Sequence, residues 1–261
     1  LFGGYNRYIM TNKLWKYLSV VPRPLRVLTS STIQTVSPEV YNKTLGRILS
    51  ANKPQMNIGD KLHKGAKVIS KSSIDELYLS LISGVDKPCD WLINANEPIL
   101  PVKDFSFLSP IERMMANDMV GYLPTDILTK VDRAAMAVSL ETRVPLLDPS
   151  VIEFAASLPL EYKMRDGVGK WVLREVLYKY VPKELIERPK MGFGVPLAEW
   201  LRGPLKDWAE SLLDAKRLQE EGFFNVSLVR QKWQEHISEQ RNWQAQLWDV
   251  LMFQAWLDKN K

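Results

Sequence analysis

At 261 residues, 46% hydrophobic and with nine tryptophans, the chain has enough apolar material for one large domain or two small ones. Its net charge of +5 is spread along the sequence rather than run together, so nucleic-acid binding is not favoured. A single cysteine, Cys89, leaves no partner for a disulfide within these residues and fits a reducing cytoplasm, no apolar run reaches the roughly eighteen residues a membrane span needs, and no cleavable signal, internal repeat or low-complexity tract is read in these 261 residues.

Residues 5 to about 20 read as a helix with Tyr5, Tyr8, Ile9, Leu14, Tyr17 and Leu18 along one stripe, closed by Pro22 and Pro24. Two shorter helices follow, Arg23 to about Gln34 and Pro38 to about Ser50, with Ser37-Pro38 opening the second. Residues 51–60 are polar and broken by Pro54 and Gly59, which reads as a loop. His63, set among Lys61 and Lys64, reads as solvated. Ser73-Ile74-Asp75-Glu76 has the form of a capping box ahead of Leu77, Leu79, Leu81 and Ile82. Pro88, Pro98 and Pro101 make the stretch from Asp86 to Asp104 irregular. Ser109-Pro110-Ile111-Glu112 is a second capping box with proline at the first helical position, and it predicts a helix over residues 110–120.

The stretch from Leu123 to Asp148 reads as one helix that turns abruptly into an extended segment. Pro124, Thr125 and Asp126 supply a start, with an N-cap hydroxyl and an acid in the first turn. Ile127, Val131, Ala134, Ala135 and Val138 recur at helical spacing and are expected to face a core. Pro145 pushes Val144 extended, and Asp148-Pro149 is the expected N-cap and first position of the next helix. Asp132, Arg133, Glu141 and Arg143 stand on this stretch with two readings open: ion pairs that fix how the helix meets its loop, or a cleft wall facing a polar ligand.

Val151, Ile152, Phe154, Ala155 and Leu158 form the next apolar helix face, closed by Pro159. Tyr162 to Met164 is short and extended, Arg165–Gly169 is a turn, and Lys170 opens a helix through Trp171, Leu173, Val176, Leu177 and Tyr180. Pro189, Gly192, Gly194 and Pro196 make residues 188–196 a loop. The remainder reads as helices with Trp233, Trp243, Trp248 and Trp256 as core anchors and His236 as packing or surface. With few strands in sight, the piece is mostly α.

A lysine flanked by glycines at a helix start is a place for an anion, because backbone N–H groups point outward and Gly167 and Gly169 permit close approach. An ordinary surface lysine fits the same spacing, so spacing alone does not choose. Arg188 and Lys190 likewise read either as an ordinary basic loop or as part of a cleft.

Three ordered blocks resemble one family. Asp132, Arg133, Met136, Ala137, Ser139, Glu141, Arg143, Val144, Pro145, Leu147 and Asp148 match the signature of the asparagine synthetase (glutamine-hydrolysing) family. Gly169-Lys170 followed by Leu173-Arg174-Glu175 resembles its lysine at a helix start, and Arg188, Lys190, Gly192, Phe193 and Pro196 resemble its Arg-x-Lys-x-Gly-Phe-x-x-Pro segment. Leu1-Phe2-Gly3-Gly4-Tyr5-Asn6-Arg7-Tyr8 looks like the tail of its Gly-rich acidic segment. The pyrophosphate loop of the family, Ser-Gly-Gly-x-Asp-Ser, has no counterpart here; Ser83-Gly84-Val85-Asp86 lacks the second glycine and the following serine.

The resemblance implies that residues 1–261 are the C-terminal portion of an ATP-dependent synthetase domain of the PP-loop ATPase type, an α/β fold whose parallel strands lie largely upstream of Leu1. It implies an N-terminal glutaminase domain upstream, and an exposed apolar face here where the sheet belonged, which leaves a homodimer open. The implied reaction converts a carboxylate, by default that of aspartate, to an acyl-adenylate with ATP, and ammonia from glutamine then displaces AMP. Mg2+ is implied too, bound mainly by upstream acids. Lys170 and Glu141 are the implied catalytic residues; Asp132, Arg133, Ser139, Arg143, Gly169, Arg188 and Lys190 are implied to line the nucleotide and substrate cleft. The isolated piece is expected to be inactive. The alternative is a non-catalytic helical scaffold that keeps the ancestral core.

Overall fold

The computed structural model describes residues 1–38, 40–42, 44, 58–85, 87–96, 104–188 and 194–260, with residue 60 described by its backbone alone. The chain divides into two compact units: Leu1–Arg26, Lys71–Leu79 and Leu100–Met191 form the first, and Val27–Ser70, Ser80–Ile99 and Gly192–Lys261 the second. Among the described residues regular structure is helical apart from one two-stranded sheet, in keeping with the mostly-α expectation, and no helix is long and apolar enough to cross a membrane.

In the first unit, helix Asn6–Leu18 packs on helix Pro110–Val120. The predicted capping box at the second is present in both arms: Ser109 accepts from the Glu112 N–H, and the Glu112 carboxylate accepts from the Ser109 N–H at 3.2 Å. Two donors that a helix start leaves unpaired are thereby satisfied. The box at Ser73 is offset instead, since the Glu76 carboxylate turns back to the N–H of Ser72, at 2.8 Å. Tyr8, Ile74, Tyr78, Met114 and Met115 are the buried cluster, with Trp15, Leu160 and Met164 packed against it. Arg113 donates twice to Asp75, at 3.1 and 3.0 Å, and ties helix Pro110–Val120 to the start of helix Ile74–Ile82.

The stretch from Leu123 departs from its reading in two ways. It opens with a wide π turn, Leu123–Leu128, and no side chain caps it. Thr125 is spent on the Gly121 carbonyl, at 2.8 Å, and Thr129 donates five residues back to the Pro124 carbonyl, also at 2.8 Å. The stripe expected to face a core does not: Val131 and Ala134 are exposed and Val138 is 75% exposed, while Ile127 and Ala135 are half-buried. Periodicity reports an amphipathic face, and nothing among the described residues covers this one. Helix Thr129–Met136 ends in a left-handed cap, with the Ser139 N–H on the Met136 carbonyl and the Leu140 N–H on the Ala135 carbonyl, both at 3.0 Å. Asp148 caps helix Pro149–Ser157 as read from the sequence, accepting from the Ser150 N–H at 2.9 Å.

In the second unit, Leu201, Leu213, Leu218, Val229, Trp233, Leu247 and Leu251 are sealed in one core. Trp243 and Trp248 pack against it, but Trp256 is 57% exposed rather than an anchor. The buried face of helix Gln244–Asn260 runs through Leu247, Val250, Leu251 and Gln254, and Trp256 falls off that period. His236 is fully buried, stacked on Trp233 at 6.2 Å, and its Nδ1 accepts from the Trp243 N–H at 3.2 Å. His63 is partnered rather than solvated, with Nε2 2.8 Å from the Val36 carbonyl. Helix Ile58–Ile69 begins inside the expected loop, because the Gly59 N–H donates to Asn42 at 2.8 Å and a side chain there would strike the Pro38 carbonyl. Residues 39, 43 and 45–57 of the neighbouring readings lie outside the described residues, as do 86 and 97–103 of the irregular stretch.

Candidate functional site

The candidate site lies in the first unit, where the glycine-rich segment at Leu1–Tyr5 meets a hairpin. Met164–Arg165 and Val168–Gly169 form the two short antiparallel strands, with Met164 opposite Gly169 and Arg165 opposite Val168. Asp166 and Gly167 turn between them at φ 51° and 80°, the two positive values a tight two-residue hairpin requires. The expected extended piece is therefore one helical turn, Leu160–Lys163, followed by strand.

Three glycines let two backbones nearly touch. A methyl on Gly3, itself at φ +64°, would stand 2.3 Å from Met164 Cγ. One on Gly169 would stand 2.1 Å from the Gly3 carbonyl oxygen, and one on Gly4 2.5 Å from Lys170 Cε. The Lys170 N–H donates to the Phe2 carbonyl at 2.8 Å, and the lysine stem lies along Gly4. Lys170 holds φ 59° and ψ 33°, a left-handed conformation that costs an ordinary residue roughly 1 kcal/mol or more. It precedes helix Trp171–Leu177, as read, and its Nζ makes no hydrogen bond or ion pair among the described residues.

Two groups missed by residue-level reading hold this corner. Arg174 donates from Nε to the Gly169 carbonyl at 3.1 Å and pairs with Glu187, which also accepts from the Tyr178 hydroxyl. Buried Asp118 accepts from Arg7 at 3.2 and 2.5 Å, from the Tyr8 hydroxyl, and from the Tyr78 hydroxyl at 2.5 Å. Arg7 is flanked by the Tyr5 and Tyr122 rings, 4.4 and 4.9 Å from their centroids. Burial and then the Asp118 hydrogen bonds push both the Tyr8 and Tyr78 phenols far above their usual range, so both remain donors. Tyr-x-Arg-Tyr at residues 5–8 was the available signal.

The remaining sequence-derived residues are placed as follows. Glu141 and Arg143 pair with each other at 2.5 Å, with side chains 70% and 84% exposed. Asp132 and Arg133 are exposed and make no ion pair among the described residues, and Ser139 is the left-handed residue of the helix cap at φ 59°. Arg188 is exposed; Lys190 lies outside the described residues. No hydrogen bond or ion pair joins Lys170 to Glu141 or Arg143. Among the described residues no group of three or more His, Cys, Asp or Glu could hold a metal ion. The second unit has a hollow of about 560 Å³ walled by Trp91, Phe223, Phe224, Phe253 and Asp249, and no residue singled out for chemistry lines it.

A family model described as asparagine synthase matches residues 1–258. A putative asparagine synthetase (glutamine-hydrolyzing) of Mycobacterium tuberculosis strain H37Rv is 29% identical over 258 residues, 98% of this chain and 37% of that protein. Asparagine synthetase (glutamine-hydrolyzing) 1 of Bacillus subtilis strain 168 is 32% identical over 151 residues, 58% of this chain and 24% of that protein. The rat asparagine synthetase (glutamine-hydrolyzing) is 29% identical over 143 residues, 47% of this chain and 24% of that protein. The chain thus spans well under half the length of these relatives. No solved structure matches it.

Proposed function

Because the chain belongs to the asparagine synthase family, we propose that it supplies the phosphate-facing corner of an ATP-dependent carbon–nitrogen ligase. The observation that carries this reading is Lys170, locked left-handed by the Phe2 carbonyl with its stem along Gly4 and its ammonium unengaged among the described residues. A cation fixed before the reaction begins stabilises charge that develops only in the transition state.

In the proposed reaction an oxygen of the acceptor carboxylate attacks the α-phosphorus of ATP. The bond from that phosphorus to the bridging oxygen breaks, and pyrophosphate leaves with the electron pair. Lys170 meets the charge gathering on those oxygens. Ammonia then attacks the acyl carbon, the carbon–oxygen bond to AMP breaks, and the surplus proton is released. Glu141, held by Arg143, and Asp132, Arg133, Ser139, Gly169, Arg188 and Lys190 are assigned to the catalytic and cleft-lining set. Aspartate is the default acceptor and glutamine the default ammonia source, through a glutaminase domain of the same polypeptide in the cytoplasm. Mg2+ finds no ligand set among the described residues, so no step is routed through it.

Pyrophosphate release by the full-length polypeptide tests the reading. Lys170→Ala should lower the acceptor-dependent rate by about a hundred-fold or more. An unchanged rate would favour the second reading, a scaffold without chemistry, whose support is that Glu141 and Arg143 are open to solvent.

A further inference from the structure

Lys163 is only 6% exposed, yet its Nζ makes no hydrogen bond or ion pair among the described residues. A lysine covered to that degree is ordinarily paired with a carboxylate. Neither Asp118 nor Glu112 serves. Asp118 is committed to Arg7, Tyr8 and Tyr78, and Glu112 acts on Lys163 only from a distance while capping its own helix.

The hairpin explains where this lysine goes. Met164 lies opposite Gly169, so the residues just beyond that pair, Lys163 and Lys170, leave the sheet side by side at one end. Both border the same glycine segment: the Lys163 carbonyl lies 3.6 Å, and the Lys170 side chain 2.5 Å, from where methyl groups on Gly3 and Gly4 would stand. A lysine covered to this degree and paired with no carboxylate among the described residues is costly unless an anion belongs beside it. Burial lowers the Lys163 pKa, with Glu112 opposing, as expected of a cation whose partner is missing.

We infer that Lys163 is a second phosphate-binding lysine, paired with Lys170 so that one polyphosphate group bridges the two ammonium groups. The inference rests on the ligase reading above and adds a residue to it. Lys170 meets the developing charge, while Lys163, rooted in the buried cluster side of the hairpin, fixes where the phosphates sit.

The test uses the full-length polypeptide, with ATP as substrate and inorganic pyrophosphate as product inhibitor. Lys163→Met keeps the stem and removes the charge. It should raise the KM for ATP and the inhibition constant for pyrophosphate on the order of ten-fold or more, the factor carried by one charged hydrogen bond. Its thermal midpoint should stay level or rise, because an unpaired covered charge has gone, whereas a purely structural lysine would lower it. Lys163→Arg, which keeps the charge, should restore both constants to within a few-fold and guards against a folding defect in the methionine variant. Unchanged constants in a folded Lys163→Met protein, alongside an inactive Lys170→Ala, would overturn this inference and leave the ligase reading standing. Full activity in both variants would remove the ligase reading itself.

Discussion

Gly169 and Gly3 meet backbone to backbone, with room for no side chain between them: a methyl on Gly169 would stand 2.1 Å from the Gly3 carbonyl oxygen. The obstacle is main chain on both sides and cannot swing away as a flexible side chain would. Gly169→Ala should therefore destabilise the first unit by about 2 kcal/mol, the cost of forced overpacking. It should also lower the rate of pyrophosphate release in the full-length polypeptide, because Lys170 is the next residue. Urea denaturation and the release assay check both, and a variant matching the parent in each would show that the contact is not required.

Asp118 is the only acid shared by Arg7, Tyr8 and Tyr78 among the described residues. Removing it as Asp118→Ala leaves a partly buried guanidinium and two phenols without their acceptor, a loss of about 3–5 kcal/mol by the behaviour of broken buried pairs. Tyr78→Phe removes one donor and should cost about 1–3 kcal/mol. Denaturant midpoints should fall in that order, and equal midpoints would contradict the hub.

Histidine in an unfolded chain titrates near 6.5, whereas burial, with repulsion from Arg202 adding to it, lowers His236 to about 4. Between those values the unfolded chain binds a proton that the folded unit does not. Stability is thus complete above about pH 6.5 and drains away as pH falls toward 4, by about 3 kcal/mol for this residue at most. His236→Phe, which can keep the stack on Trp233, should flatten that slope in urea denaturation followed from pH 7 to 4. A slope as steep as the parent's would assign the acid sensitivity elsewhere.

The Glu141–Arg143 pair is open to solvent, so Glu141→Gln should change stability by less than about 0.5 kcal/mol. A loss of pyrophosphate release in that variant would accordingly be chemical rather than structural. Release at the parental rate would remove Glu141 from the catalytic set.

What could be read from the sequence was what is settled within a few residues. The capping box at Ser109–Glu112 and the Asp148 cap are local hydrogen-bonding patterns, and both stand in the structure as read. What depends on a covering partner was not legible. The stripe through Val131 and Val138 has helical spacing, but spacing does not say whether anything lies on it, and Val138 is 75% exposed. Trp256 failed as an anchor for a different reason: it lies off the period of the buried face of its helix. The Asp166-Gly167 turn was visible, but strands of two residues leave no periodicity to find, so the register that sets Lys163 beside Lys170 emerged only from the coordinates. The motif residues were found by resemblance. Their surroundings, from the Phe2 carbonyl on Lys170 to the Arg174 bond on Gly169, join positions too far apart or too ordinary in type to signal themselves.

The ammonium of Lys170 facing bound phosphate can be observed directly by amine labelling of the full-length polypeptide with and without ATP, read by mass spectrometry. Lys216, whose side chain is 85% exposed on the second unit, serves as the internal control. ATP should slow labelling of Lys170 at least several-fold and leave Lys216 unchanged; equal labelling of Lys170 in the presence and absence of ATP would contradict a phosphate-facing lysine.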